Sequence, residues 1–205
     1  MNALYIVCGL GLTALLAEVF NIRRILGALT ILGLAAAIGS AVLEWNYAEA
    51  YFTNMVIFDN FALSFSVLMM SITILWFWMA QDYFNQDKEH YTDRASLILF
   101  TVAGGILMVS FNNMAILFLG IEVLSLSLYT LAGSRRDSLA SNEAAFKYFL
   151  MGSFATGFLL LGIALVYGST GSFDLKSIAD VVVLNSGTLP AFFYAGVVLI
   201  MVGLA

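Results

Sequence analysis

Long apolar runs separated by short polar turns leave this chain few ways to fold. Each run holds roughly 18 residues or more, enough to cross a hydrocarbon core about 30 Å thick. Inside lipid every backbone amide must find its partner within its own segment, so uniformly apolar runs of this length are helices. A membrane barrel would instead show short strands of alternating polarity. Six complete spans are expected, over residues 4–20, 25–43, 61–80, 95–110, 114–132 and 143–167. A seventh begins after Pro190 and is cut short at Ala205. Its 16 residues cover roughly 24 Å at helical rise. A chain should not end inside hydrocarbon, so the expectation is the amino-terminal part of a longer protein. The fold class is all-α, a polytopic transmembrane helix bundle forming one domain over residues 1–205. Charged residues make up 10% of the chain, against about a quarter in soluble domains, which agrees.

The basic residues set an orientation. Arg23 and Arg24 follow span one, Lys88 and Arg94 lie between spans three and four, and Arg135 and Arg136 follow span five. The alternate loops hold only Lys176. By the positive-inside rule the amino terminus faces outward and the arginine-bearing loops face the cytoplasm. The first segment has no basic leader and no small-residue cleavage site, so it reads as a retained helix. The outward loop over residues 169–190 is long and partly apolar, and Asp174 to Val183 reads as a short helix lying on the membrane surface. The lone Cys8 reads as a small apolar filler. No phosphate loop, nucleotide fingerprint, haem or iron–sulfur ligand set is visible, and nothing points to nucleic acid as a partner. The lipid bilayer is the expected surrounding.

One residue breaks the apolar pattern at the worst place. Glu122 sits in MAILFLGIEVLSLSLYTLAG, near the middle of span five. A charge there costs roughly 3 kcal/mol on insertion scales, and such residues usually face protein and mark an ion or proton path. The plainer alternative is a neutral Glu that only hydrogen-bonds a neighbouring helix, a task Ser or Gln performs at lower cost. Lys147, in SNEAAFKYFLMGSF, is the second candidate. It either snorkels to the headgroups or takes part in the path. Glu143 precedes it by four residues in the favourable Glu-before-Lys order, and Ser141 or Asn142 would cap the helix. Glu122 is expected roughly 16 Å deep and Lys147 roughly 9 Å deep. A gap of that size permits a charge pair or a hydrated step. Ser125 and Tyr129, one and two turns beyond Glu122 on the same face, are supporting residues for a water chain or helix contacts. Glu18 reads as an interfacial partner of Arg23 and Arg24, and His90 as a solvated loop residue beside Asp87, Glu89 and Asp93. Gly33 with Ala37, and Ser153 with Gly157, read as close helix contacts.

FLGIEVLSLSLYTLAG, a short basic loop and then EAAFKYFLMGSFATGFLLLGIALVYGSTG together resemble the subunit N, or chain 2, family of NADH–quinone oxidoreductase. The pattern covers roughly residues 95–205; the earlier part matches in helix spacing only. The Gly-Ile-Glu context favours this family over its sister antiporter-like subunits, which usually carry an aromatic before the Glu. The resemblance implies an antiporter-like subunit of bacterial respiratory complex I in the inner membrane. Its partners would be other membrane-arm subunits. Glu122 matches the family's span-five glutamate and Lys147 its span-six lysine. Both would serve proton translocation. No cofactor is expected in this chain, since NADH, FMN, iron–sulfur clusters and quinone would belong elsewhere in the complex. The family's span-seven lysine would lie just past Ala205, so this piece would hold part of one proton path.

Two other readings stand beside this one. The chain could be a subunit of a multi-component cation/proton antiporter or membrane-bound hydrogenase, which share the Glu and Lys logic. It could also be a structural or assembly subunit in which Glu122 only fixes helix packing.

Overall fold

Helices form wherever the apolar runs demand internal hydrogen bonding. A computed structural model describes residues 1–17, 23–47, 49–84, 91–185 and 189–205. Its long helices are α1 (Asn2–Ala17), α2 (Arg23–Leu43), α3 (Asn60–Phe84), α4 (Tyr91–Val109), α5 (Met114–Ala132) and α6 (Leu139–Thr170). Five stretches, Ile25–Leu43, Asn60–Ala80, Tyr91–Val109, Met114–Ala132 and Leu139–Thr170, are long and apolar enough to cross a membrane. The first span is shorter than that among the described residues, at 16. A short helix stands where one was expected, α7 (Leu175–Leu184), capped by the Asp174 carboxylate, which accepts from the Ser177 amide. After Pro190 comes α8 (Ala191–Leu204), of 14 residues.

The helices pack in a chain of neighbours. Helix α1 lies between α2 and α4, α3 joins α2 to α4, α5 packs on α4, and α6 stands between α5 and α8. The main core is built by α1 to α4, around Leu26, Leu34, Met70, Phe77, Leu99 and Ile106. Buried hydroxyls there satisfy themselves locally. Thr30 donates to the Gly27 carbonyl, Ser66 to Ala62 and Thr73 to Met69. Such back-bonding makes a polar atom cheap inside an apolar bundle. Helices α5 and α6 are far more open, and α6 buries only Leu159, Gly162, Ile163 and Val166.

One element escaped the sequence reading. Strands β1 (Glu49–Tyr51) and β2 (Val56–Phe58) form an antiparallel hairpin with Glu49 opposite Phe58. Three residues per strand are too few to show an alternating pattern. Phe52, Thr53 and Asn54 at its tip all have positive φ, at 52°, 57° and 66°, a conformation unfavourable for side-chain-bearing residues. The tip is held from below. The Asn112 side chain donates to the Asn54 carbonyl (2.8 Å) and to the Asp174 carboxylate (3.1 Å). The hairpin, the α4–α5 junction and the start of α7 therefore meet at one end of the bundle. On β1, Tyr51 donates to the Glu49 carboxylate, which pushes its phenol up to about 12.

Two expectations about small residues divide. Gly33 is a close contact as read, since a Cβ there would reach 2.5 Å from the Leu10 side chain. The Ser153–Gly157 contact is not formed, because a Cβ at Gly157 would meet nothing within 4 Å. The close approach on α6 lies instead at Gly162, whose Cβ would fall 2.7 Å from the Gly196 carbonyl of α8. Glu18, Lys88, His90, Asp87 and Glu89 lie outside the described residues, as do the side chains of Arg23 and Arg24.

Candidate functional site

Helix α5 is fixed at both ends and in its middle. Asn113 caps its start, accepting from the Ala115 amide at 2.9 Å. At its far end the Gly133 amide bonds the Tyr129 carbonyl. Midway, Gly120 crosses Gly104 of α4 so closely that a Cβ on Gly104 would lie 2.6 Å from the Leu124 amide nitrogen. Glu122 follows as the ninth of 19 helix residues. Two residues round a helix is about 200°, so Glu122 leaves α5 on the side opposite α4. It is partly exposed there. Its carboxylate has no hydrogen bond or ion pair among the described residues, and the same holds for hydrogen bonds of the Ser125 and Tyr129 hydroxyls. This is the reverse of the self-satisfied hydroxyls in the α1–α4 core.

Helix α6 begins earlier than read. Its cap is Ser138, not Ser141 or Asn142. Those two are used differently: the Ser141 hydroxyl donates to the Ala132 carbonyl at 2.7 Å, and the Asn142 amide to the Arg136 carbonyl at 2.9 Å. These bonds tie the start of α6 to the end of α5 and to the turn that follows it. Because the two helices run antiparallel, these contacts set their levels. Tyr129 packs edge-on against Tyr148, with ring centroids 4.7 Å apart, and against Phe149 at 5.9 Å. Seven residues back along α5, Glu122 is therefore level with about Thr156 of α6. Lys147 lies nine residues from that level, roughly 13 Å along the axis.

The charge pair between Glu122 and Lys147 that the rough depths permit is not formed. The rough depths assumed equal starting planes, and the turn between the helices shifts those planes. Lys147 pairs instead with Glu143, at 2.5 Å. That pair is well exposed, 67% for the Lys side chain and 56% for the Glu. Tyr129 occupies the interval between the two sites, and its ring is buried.

Two residues with a bearing on this region were missed. Gly152 is one: a Cβ there would sit 1.7 Å from the Tyr129 hydroxyl oxygen. A glycine inside a helix is a visible signal, but not one that names its neighbour. Arg94 is the other. Its sequence position reads as the loop between spans three and four, yet it sits in the first turn of α4 and is only 8% exposed. Together with Asp93, Leu97, Thr130, Ser134 and Arg136 it lines a small cavity of about 70 Å³. A long guanidinium stem can cover apolar surface while its head stays polar, which a loop assignment overlooks.

Known proteins place the chain. The family model described as NADH:quinone oxidoreductase/Mrp antiporter, TM matches residues 111–205, which contain α5 and α6. NADH-quinone oxidoreductase subunit N of Flavobacterium psychrophilum is 43% identical over 204 residues, covering 100% of this chain and 44% of the relative. The subunit N of Cytophaga hutchinsonii is 37% identical over 206 residues, with the same 100% and 44%. A chain of respiratory complex I from Thermus thermophilus superposes with a TM-score of 0.77 at 27% identity, over 98% of this chain and 43% of that one. An archaeal membrane-bound sulfane sulfur reductase chain shares the fold at 0.77 with 21% identity. This chain spans less than half the length of the relatives it matches. On its identity with them along its whole length, and on the shared bundle, the chain belongs to the family of NADH-quinone oxidoreductase subunit N, whose members are antiporter-like membrane subunits.

Proposed function

We propose that this chain is part of a proton-translocating membrane-arm subunit of NADH:quinone oxidoreductase. The observation that carries this reading is Glu122. A carboxylate stands at the middle of an apolar helix within the family-matched segment, aimed away from the rigid α4 crossing and without a partner among the described residues. An ionisable side chain inside a membrane span marks an ion or proton path by default, and a carboxyl group can carry one proton without redox chemistry of its own. Electron transfer elsewhere in the complex would drive the proton movement. NADH, FMN, iron–sulfur clusters and quinone would sit in other subunits.

Glu122 is the proton-exchanging group in this proposal, and Lys147 with Glu143 forms the entry side. Arg94, Arg135 and Arg136 at the α5–α6 end favour placing that end in the cytoplasm and the amino terminus outside the inner membrane. The other membrane-arm subunits would be the partners. A subunit of a cation/proton antiporter is the second reading, favoured by the antiporter in the matching family's description. Quinone-reductase chains among the co-purifying partners support the first reading, and antiporter chains alone support the second. A purely structural role for Glu122 predicts lost assembly rather than lost pumping.

The direct test is Glu122→Gln in the full-length subunit within its complex. The amide keeps the shape and removes the titration. Protons moved per electron should fall in assembled complexes, measured with a pH-sensitive dye in vesicles. An unchanged yield would overturn the assignment.

A further inference from the structure

Roughly 13 Å of helix seam separates the levels of Lys147 and Glu122, too far for one water to bridge. Tyr129 stands in that seam. Its ring packs on Tyr148 and Phe149, and its hydroxyl rests against the bare backbone of Gly152. Gly152 is four residues from the level of Glu122 and five from Lys147, so the hydroxyl divides the interval into steps of roughly 6 and 7 Å. One water between two oxygens spans about 5.6 Å at normal hydrogen-bond lengths. Each half is therefore within reach of one or two waters, whereas the undivided seam is not.

The residue is 9% exposed, yet its oxygen keeps some exposure and has no hydrogen bond among the described residues. Phe would pack the same ring without placing a polar atom at the seam. The ring is covered while the oxygen still meets open space at the seam. The seat itself has a cost, since glycine in a helix interior is less favourable than alanine. Alanine has no room here: its Cβ would fall 1.7 Å from the hydroxyl oxygen and 2.4 Å from Cζ.

We propose that the Tyr129 hydroxyl is a proton-relay step between the Lys147–Glu143 pair and Glu122, and that Gly152 is the positioning residue that seats it. The inference rests on Glu122 being the proton-exchanging carboxylate. In the step, the phenol oxygen accepts a proton from a water on the Lys147 side as its own proton passes to a water or to the carboxylate on the Glu122 side. One O–H bond forms and one breaks. The phenol stays neutral, no electrons move, and rotation of the hydroxyl resets it.

The test uses the full-length subunit assembled in its complex and reconstituted in vesicles, with protons per electron as the readout. Tyr129→Phe keeps the ring and its packing, so the complex should assemble and reduce quinone. Its proton yield should fall to that of Glu122→Gln. Gly152→Ala should lower the yield too, and adding it to Tyr129→Phe should lower it no further. Loss with Glu122→Gln but full yield with Tyr129→Phe overturns the relay and leaves the carboxylate assignment standing. Full yield with Glu122→Gln removes both. A further fall in the double variant overturns the seating role of Gly152. Should Gly152→Ala prevent assembly, Gly152→Ala with Tyr129→Ala decides the point: recovered assembly supports the seat, and continued failure overturns it.

Discussion

Polar atoms in this bundle follow two different rules, and the difference marks the site. Ser127, like Ser66 and Thr73, returns its proton to a carbonyl one turn back, at 2.8 Å. Such a residue asks nothing of its neighbours. Glu122 lies five residues earlier on the same helix and has no such outlet, because a carboxylate without a proton can only accept. Its identity was legible from the sequence, since a charge amid apolar residues is visible by itself. Its distance from Lys147 was not, because depth along one helix says nothing about the stagger of the next. At the hairpin, Tyr51 offers a separate test. Its hydrogen bond to the Glu49 carboxylate holds the phenol neutral and pushes it up to about 12, from an ordinary value near 10. The folded-state value is raised, so the stabilisation is fully present below about pH 10 and is lost as pH rises through about 12. An absorbance titration of tyrosinate should show a late component near pH 12 that Tyr51→Phe removes.

Between helices, glycines decide who touches whom. At the α4–α5 crossing, a Cβ on Gly104 would meet the Leu124 amide at 2.6 Å and the Gly120 carbonyl oxygen at 2.8 Å. Both are backbone atoms and cannot swing aside. Gly104→Ala should push the helices apart and destabilise the protein by about 1–3 kcal/mol, the usual cost of overpacking. The expected readout is a lower melting temperature in detergent. Gly157→Ala is the control in the 205-residue chain: with open space around the site, the melting temperature should hold or rise. The sequence patterns of Gly33 and Gly157 look alike, and only one is a contact. Four-residue spacing identifies a smooth helix face, while the partner that fills it comes from a different part of the chain.

Across the whole molecule, the bundle is tied tightly at one end and loosely along α6. Asn112 joins three segments distant in sequence. Its amide holds the hairpin tip and the Asp174 cap, while its backbone bonds the Met55 carbonyl and the Leu175 amide. Asn112→Ala removes the side-chain bonds and keeps the backbone ones, at about 1 kcal/mol for each bond lost. Hydrogen exchange should speed up in residues 49–58 and at the start of α7, and should stay unchanged in the α1–α4 core. On α6, Met151 and Phe154 stand exposed by 73% and 70%. Apolar faces like these suit lipid or a neighbouring subunit.

Apolar run length and turn residues were enough to determine a helical membrane bundle, its helix order and a carboxylate midway along α5. Each of these depends on residues close together in the chain, where the backbone's need for partners in lipid leaves one solution. The tertiary structure alone decided that Lys147 pairs with Glu143, that Gly104 meets Gly120, that Arg94 is buried, and that Tyr129 rests on Gly152. These depend on the stagger and facing of helices that meet through space. Stagger is set by turns such as the one Ser141 and Asn142 brace, and no local pattern encodes it.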